Sequence, residues 1–303
     1  MRQLTPAQRH RARVLAEQAH AATPYGQELA SSAHQLMLVK LAADKRALKA
    51  IQSVQLKRTT KAKLLPAYLD WIGGALTGGG GAEDAVLTTC MVWAIDAGAY
   101  ALALTIAPYV LQHGMPMPDH YQRGAAAVIV DEMADAYLQA QWDAITYEAT
   151  PAGYAIHSHG STEAAALLGQ ALHLTAPHDL PDQARAKLCK AVGYALLGKV
   201  QTAEQPELDK MPRAVLEQVR SHLATALALD ALCGVKKDLE RIDRKLAADA
   251  SGKAKLPDAA AGDAAAAPPT EPTEPTTAAP DTPAPARKRT APATKAGAGS
   301  RKR

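Results

Sequence analysis

The sequence predicts an all-α fold built from helical hairpins. Hydrophobic residues make up 48% of the 303-residue chain, which is enough to bury a core, yet only 4% of residues are aromatic and Phe is absent. A core of Ala, Leu, Val and Ile suits closely packed helices, whereas strands favour β-branched and aromatic side chains. The apolar residues also recur three, four and seven positions apart, which is the spacing of one helix face. An all-β sandwich or barrel is therefore disfavoured.

Composition and charge divide the chain into a basic N-terminal arm (1–33), a helical domain (34–250) and a C-terminal tail (251–303). The tail holds nine of the twenty prolines and one large aliphatic residue, Leu256, so it buries too little apolar surface to offset its ordering entropy and is predicted to be disordered. Residues 1–63 carry 12 basic and 3 acidic side chains, residues 64–250 carry 13 and 22, and the tail carries 9 and 5. Basic ends favour a polyanion, and an acidic middle favours protein contacts.

Two basic helices are predicted at the N-terminus. Thr5 followed by Pro6 is typical of a helix start, and this short helix should end near residues 23–26. From His34 the apolar residues follow one face of a single long helix, which we expect to run through residues 34–63.

The body, residues 64–250, is predicted to consist of helical hairpins with tetratricopeptide-like packing. Two apolar helices within 83–113 are joined at 96–98, and the second begins Gly98-x-Tyr100-x-x-Ala103-Leu104, which resembles part of a tetratricopeptide repeat. Gly78 to Gly81 should form a flexible break, because no strand or Lys-Ser/Thr pair makes them a phosphate loop. Further amphipathic segments lie at 125–141, 161–173, 181–197 and 211–229, and loops are expected at 143–160 and 201–210.

The basic residues of the first helical segment and of the tail are candidates for DNA binding. An amphipathic helix can bury its apolar side and present lysine and arginine to phosphates. The candidates are Lys40, Lys45, Arg46, Lys49, Lys57 and Arg58 in the helix and Arg287, Lys288 and Arg289 in the tail. The alternatives are an ordinary solvated helix face and a tail that serves only solubility.

Few residues suggest catalysis. Asp131 and Glu132, with Asp135 one turn later, could supply carboxylates for Mg²⁺ in phosphodiester hydrolysis, although acids near a helix start also favour the helix dipole. The three cysteines have no zinc-binding spacing, and the histidines at 157, 159, 173 and 178 have no fixed metal geometry. We therefore predict no metal site or cofactor motif, apart from Mg²⁺ if the chain is a nuclease. No apolar stretch is long enough for a membrane span.

Several short stretches resemble the small terminase subunit family of temperate contractile-tailed bacteriophages, also described as the terminase endonuclease subunit. They occur in the same order over about residues 35–246 and are Met37-Leu38-Val39-Lys40-Leu41-Ala42-Ala43-Asp44, Leu64-Leu65-Pro66 with Leu69 and Trp71, Trp93 with Asp96 and Gly98, Tyr109 with Gly114, Met117 and Pro118, Arg185-Ala186-Lys187-Leu188 and Gly234-Val235-Lys236-Lys237. The sequence departs from the family pattern between Gly198 and Ser221, where an insertion replaces a short glycine turn.

The resemblance implies a role in packaging a viral genome in the cytoplasm of the bacterial host. Its implied partners are double-stranded viral DNA at the cohesive-end site, a large ATPase subunit and further copies of the chain, with no membrane contact. It also implies endonuclease activity, for which Asp131 and Glu132 match an acidic pair in the family. The rival interpretations are a helical-repeat adaptor that binds a protein partner and a nuclease that acts alone.

Overall fold

The fold is mainly helical, as predicted. A computed structural model describes residues 4–118, 123–151, 153–199 and 206–253, which belong to one compact unit. In chain order its elements are α1 (Pro6–Ala22), α2 (Ser32–Ala50), α3 (Val54–Leu64), α4 (Leu69–Gly78), α5 (Ala85–Ala97), α6 (Tyr100–Gln112), α7 (Ala125–Leu138), β1 (Ala144–Thr150), β2 (Gly153–Gly160), α8 (Ala164–Thr175), α9 (Asp182–Leu196), α10 (Arg213–Leu229) and α11 (Lys236–Lys253). Short 3₁₀ turns lie at Leu65–Ala67, where Pro66 precedes α4, and at Leu208–Lys210.

Most predicted helices occur where their periodicity indicated. Thr5 caps α1 in a capping box with Gln8, and α5 and α6 meet at Gly98. Neighbouring helices pack in pairs through the body, notably α5 with α6, α8 with α9 and α9 with α10. The core is less purely aliphatic than expected, because Tyr68, Tyr100 and Tyr137 are among its largest fully buried side chains.

The long helix predicted for residues 34–63 is wrong, because the chain forms two helices there. Ile51 ends α2 in an extended conformation, and the Ser53 hydroxyl accepts a hydrogen bond from the Leu56 amide to begin α3. A serine side chain competes for backbone donors in this way and favours a helix start over a helix interior.

The loop predicted at 143–160 is also wrong, because these residues form the antiparallel hairpin of β1 and β2. Its tip is attached to α1, since Arg9 donates to the carbonyl oxygens of Gly153 and Thr150 at 3.1 Å each. At mid-strand, the Tyr147 hydroxyl donates to the Ala62 carbonyl at 3.0 Å. The hairpin thus obtains from α1 and α3 the support that an isolated two-stranded sheet lacks.

The flexible break predicted at residues 78–81 is instead a packed turn. Gly78 and Gly80 lie so close to α1 that an added Cβ would overlap the backbone oxygens of Glu17 and His20, respectively. The amide of Gly81 donates to the buried Tyr109 hydroxyl at 2.8 Å. This segment therefore has fixed partners on both sides.

A buried polar cluster joins the N-terminal helices to α5. Asp84 caps α5 by accepting from the Val86 amide, and its other oxygen accepts from the Trp71 indole at 2.7 Å. His20 of α1 and His34 of α2 also contact this carboxylate. Helix α1 is thereby bound to the body, in addition to its close packing against α4.

Among the described residues, no helix is long and apolar enough to cross a bilayer. The loop expected at 201–210 is described only from residue 206, and the tail only to the end of α11 at Lys253.

Candidate nucleic-acid interface

The exposed side of α2 carries three of the predicted DNA-binding residues. Ser31 caps the helix, and Leu41 and Leu48 bury one face in the core. This orientation leaves Lys45, Arg46 and Lys49 exposed, and none of the three forms an ion pair with an acidic side chain in the described part of the chain. Their charges are therefore available to an external anion.

Lys40 has a different environment, although it lies on the same helix. Its Nζ is 2.6 Å from Oδ2 of Asp44 and 3.8 Å from the centre of the Tyr68 ring. The Tyr68 hydroxyl donates to the same carboxylate oxygen at 2.6 Å, and burial raises the pKa of Tyr68. Lys40 thus compensates a buried acid and stabilises the attachment of α2 to the body.

Helix α3 places the remaining two helical candidates at the rim of a cavity. The guanidinium of Arg58 donates to the carbonyl oxygens of Gln141 at 2.5 Å and Asp143 at 3.3 Å, so it holds the segment before β1. Lys57 is half-buried and has no ion-pair partner among the described residues. One turn further, Lys61 pairs with Asp96 at the end of α5.

This cavity lies between α3, α5, α6 and α7 and has a volume of about 300 Å³. It brings together charged and amide side chains from helices that are distant in sequence. Its lining includes Lys57, Arg58, Lys61, Asp96, Tyr100, Glu132, Asp135, Gln139 and Gln141.

The two predicted catalytic candidates, Asp131 and Glu132, point to different surroundings. Asp131 does not line the cavity, because it pairs with Arg123 and with Lys187, whose Nζ is also 3.1 Å from Asp135. Burial lowers the pKa of Lys187, but these two carboxylates outweigh that effect and raise it. Glu132 does line the cavity, where burial, and after it the nearby Asp96 carboxylate, raise its pKa.

Asp96 is a functional candidate that sequence reasoning missed. It lies 35 residues or more from the acidic positions of α7 yet shares their cavity, because α5 packs against α7. Its position before the Ala97-Gly98 turn marked a helix end, but nothing local indicated which helix it would face. The described acidic residues, however, provide no group of three His, Cys, Asp or Glu side chains able to hold a metal ion. The carboxylates therefore do not fit a bound Mg²⁺ in this arrangement, and we derive no metal-dependent step from them.

The histidines of the hairpin have hydrogen-bond partners of their own. His157 pairs with Glu148 at 2.9 Å, and His159 lies 2.8 Å from the Thr146 hydroxyl. The tail candidates Arg287, Lys288 and Arg289 lie outside the described residues.

Comparison with known proteins identifies the family. The family model described as phage small terminase subunit matches residues 38–183. The chain is 38% identical over 246 residues to the terminase, endonuclease subunit, of Escherichia phage P2, an alignment that covers 80% of this chain and 85% of that protein. No solved structure matches the chain. The identity and its coverage establish that the chain belongs to the phage small terminase subunit family.

Proposed function

We propose that this chain binds double-stranded viral DNA at the cohesive-end site and acts with a large ATPase subunit in cutting and packaging the genome in the host cytoplasm. The observation that carries the proposal is the exposed group Lys45, Arg46 and Lys49 on α2. Basic side chains without acidic partners release counterions from DNA when they meet its phosphates, and this release drives binding. Arg287, Lys288 and Arg289 would add a second basic contact.

Exposed basic residues elsewhere on the molecule provide an internal comparison. Lys210, Arg213 and Arg220 are exposed too, but they pair with Glu207, Glu217 and Asp243, respectively. Their charges are compensated locally and should contribute less to the binding of a polyanion. The difference between these two groups supports α2 as the DNA-binding face, in preference to a charge spread over the whole surface.

Self-association is part of the same proposal. Two apolar side chains on α2, Leu36 and Val39, are 72% and 67% exposed, respectively. Large apolar residues that stay exposed on one helix favour a protein contact. A second copy of the chain bound there would place several basic helices on one DNA molecule.

The alternative is a helical-repeat adaptor whose basic residues contribute only solubility. An adaptor should bind DNA weakly at all salt concentrations. The endonuclease role rests on the name of the phage P2 relative. A chain that cuts only with its large subunit would fit the absence of a three-residue metal group among the described residues.

The test is DNA affinity measured by fluorescence anisotropy over a range of salt concentrations. If about six phosphates are neutralised, log K should fall with log salt at a slope near −5, from about −0.9 per contact. Replacing Lys45, Arg46 and Lys49 together with alanine should reduce the size of the slope by about 2 to 3. The matched control replaces Lys210, Arg213 and Arg220 with alanine and should leave the slope close to that of the wild type. Equal effects of the two triple variants would contradict the proposed face.

A further inference from the structure

The cavity beside α3 contains a buried hydroxyl with no hydrogen-bond partner. Tyr100 is 1% exposed, and its ring stacks on Trp142 at a centroid distance of 3.8 Å. Its hydroxyl makes no hydrogen bond with any described residue, although the side chain lines the cavity. Buried hydroxyls are nearly always hydrogen-bonded, so an unpaired one facing a cavity indicates a missing ligand or solvent molecule.

The hydroxyl is a donor at neutral pH. Burial raises the pKa of Tyr100 to about 12, against the opposing influence of the nearby Arg58 guanidinium. Arg58 carries only N–H donors and cannot accept the tyrosine proton. The group that completes this site must therefore be a hydrogen-bond acceptor.

The charges around the cavity favour an anionic acceptor. Asp96 is compensated by Lys61, and Asp135 by Lys187. Glu132 lies 4.0 Å from Arg123, and its raised pKa favours the neutral form relative to an ordinary glutamate. The cations that remain without an acidic partner at the cavity are therefore Lys57 and Arg58, as far as the described residues extend.

We propose that this cavity binds one phosphate group of the DNA backbone, with the Tyr100 hydroxyl donating to a phosphate oxygen and Lys57 and Arg58 supplying positive charge. The inference rests on the proposed DNA-binding function and adds a defined subsite to it. Arg58 is already oriented by its bonds to the Gln141 and Asp143 carbonyls, so little side-chain entropy is lost when the phosphate enters. The subsite would set the position of DNA relative to α3, because phosphate contacts fix register without reading sequence.

The central test is Tyr100→Phe, which removes one oxygen and retains the ring that stacks on Trp142. Because the hydroxyl has no protein partner, the thermal midpoint should stay the same or rise, while affinity for duplex DNA falls about tenfold at low salt. Lys57→Gln should make the salt slope shallower by about 0.9. The control is Lys63→Gln, which changes an exposed lysine of the same helix that does not line the cavity and should leave both quantities unchanged.

Inorganic phosphate provides a second probe. At constant ionic strength, it should compete with DNA for the wild-type protein more strongly than chloride does, and this advantage should be lost in Tyr100→Phe. Wild-type DNA affinity in the Tyr100→Phe variant would overturn the subsite, and competition by phosphate without any effect of this substitution on DNA binding would mean that the cavity holds free phosphate only. An equal loss in Lys63→Gln and Lys57→Gln would also overturn it, because the charge of α3 would then act diffusely. A wild-type protein that does not bind DNA at low salt would instead refute the proposed function.

Discussion

His34 lies with its Nε2 atom 3.3 Å from Oδ1 of Asp84, and both side chains are buried. The other ring nitrogen of His34, Nδ1, is 2.8 Å from the carbonyl oxygen of Leu29. An imidazole with an oxygen atom near each nitrogen is best satisfied when both nitrogens carry protons. Three separate segments of the chain therefore meet around one charge-sensitive group.

We expect this pair to make folding stability depend on pH. Burial lowers the pKa of His34, but the Asp84 carboxylate and the Leu29 carbonyl outweigh it and raise the pKa above its usual value. A raised pKa in the folded state means that stability is fully present below about pH 6.5 and is lost as pH rises through the folded pKa. Chemical denaturation at a series of pH values measures this loss.

The corresponding variant is His34→Gln, which should flatten the pH dependence in that window and lower stability at acidic pH. His10→Gln, on the exposed side of α1, serves as the control and should keep the wild-type profile. Asp84 has the opposite dependence. Its burial is outweighed by bonds from His20, His34 and Trp71, so its pKa is lowered and its contribution disappears only in strong acid.

Gly98 should be intolerant of alanine. Its φ of +88° disfavours an L side chain, and an added Cβ would overlap the carbonyl oxygen of Asp143. We expect Gly98→Ala to lower the free energy of unfolding by about 3 kcal/mol, of which roughly 1–2 comes from the backbone conformation. Gly114→Ala separates the two causes, because Gly114 has a φ of +58° with open space around its Cβ position. It should lose only the conformational part, and equal losses would contradict the close contact.

The packing of α1 on α4 makes a similar distinction between adjacent glycines. A Cβ at Gly74 would lie 2.6 Å from the Ala16 Cβ and would also overlap the Arg13 carbonyl oxygen, whereas one at Gly73 would meet the Arg13 side chain at an ordinary 3.6 Å. Gly74→Ala should therefore release or displace α1 and cost about 2 kcal/mol or more. Gly73→Ala should stabilise α4 by about 0.5–1 kcal/mol. Thermal unfolding and protease sensitivity of α1 measure both effects.

The isolated chain should cut DNA poorly or not at all. Asp131, Glu132 and Asp135 do not converge, and Asp131 is paired with Arg123 and Lys187. Purified protein with Mg²⁺ or Mn²⁺ and a cohesive-end substrate should show no specific cleavage until the large subunit is added. Specific cutting by the wild type alone that disappears in both Asp131→Asn and Glu132→Gln would contradict this prediction and place the nuclease site on α7.

Association through α2 should depend on Leu36. Light scattering at micromolar concentration should show species larger than the 31.8 kDa chain, and Leu36→Glu should shift them toward the monomer. Leu232→Glu is the control, because Leu232 is 92% exposed in the turn before α11. A single monomeric species for the wild type, with and without DNA, would contradict self-association.

The sequence by itself determined most of the helices. Period-3.6 patterns are local, as are the cap at Thr5 and the turn at Gly98, and the helices formed where these signals occur. The two errors had local signals too. Ser53 is a helix N-cap, and Ile145, Thr146 and Tyr147 have high strand propensity.

Only the tertiary structure decided which side chains meet. Whether a basic residue faces solvent, as Lys45 does, or compensates a buried acid, as Lys40 does, depends on the orientation of α2 against Tyr68. The approach of Asp96 to Glu132 and the unpaired Tyr100 hydroxyl depend on how α5, α6 and α7 pack. Helix periodicity specifies which face of a helix is buried, but the neighbour of that face is chosen by shape and close contact, as at Gly74 and Ala16, between residues far apart in sequence.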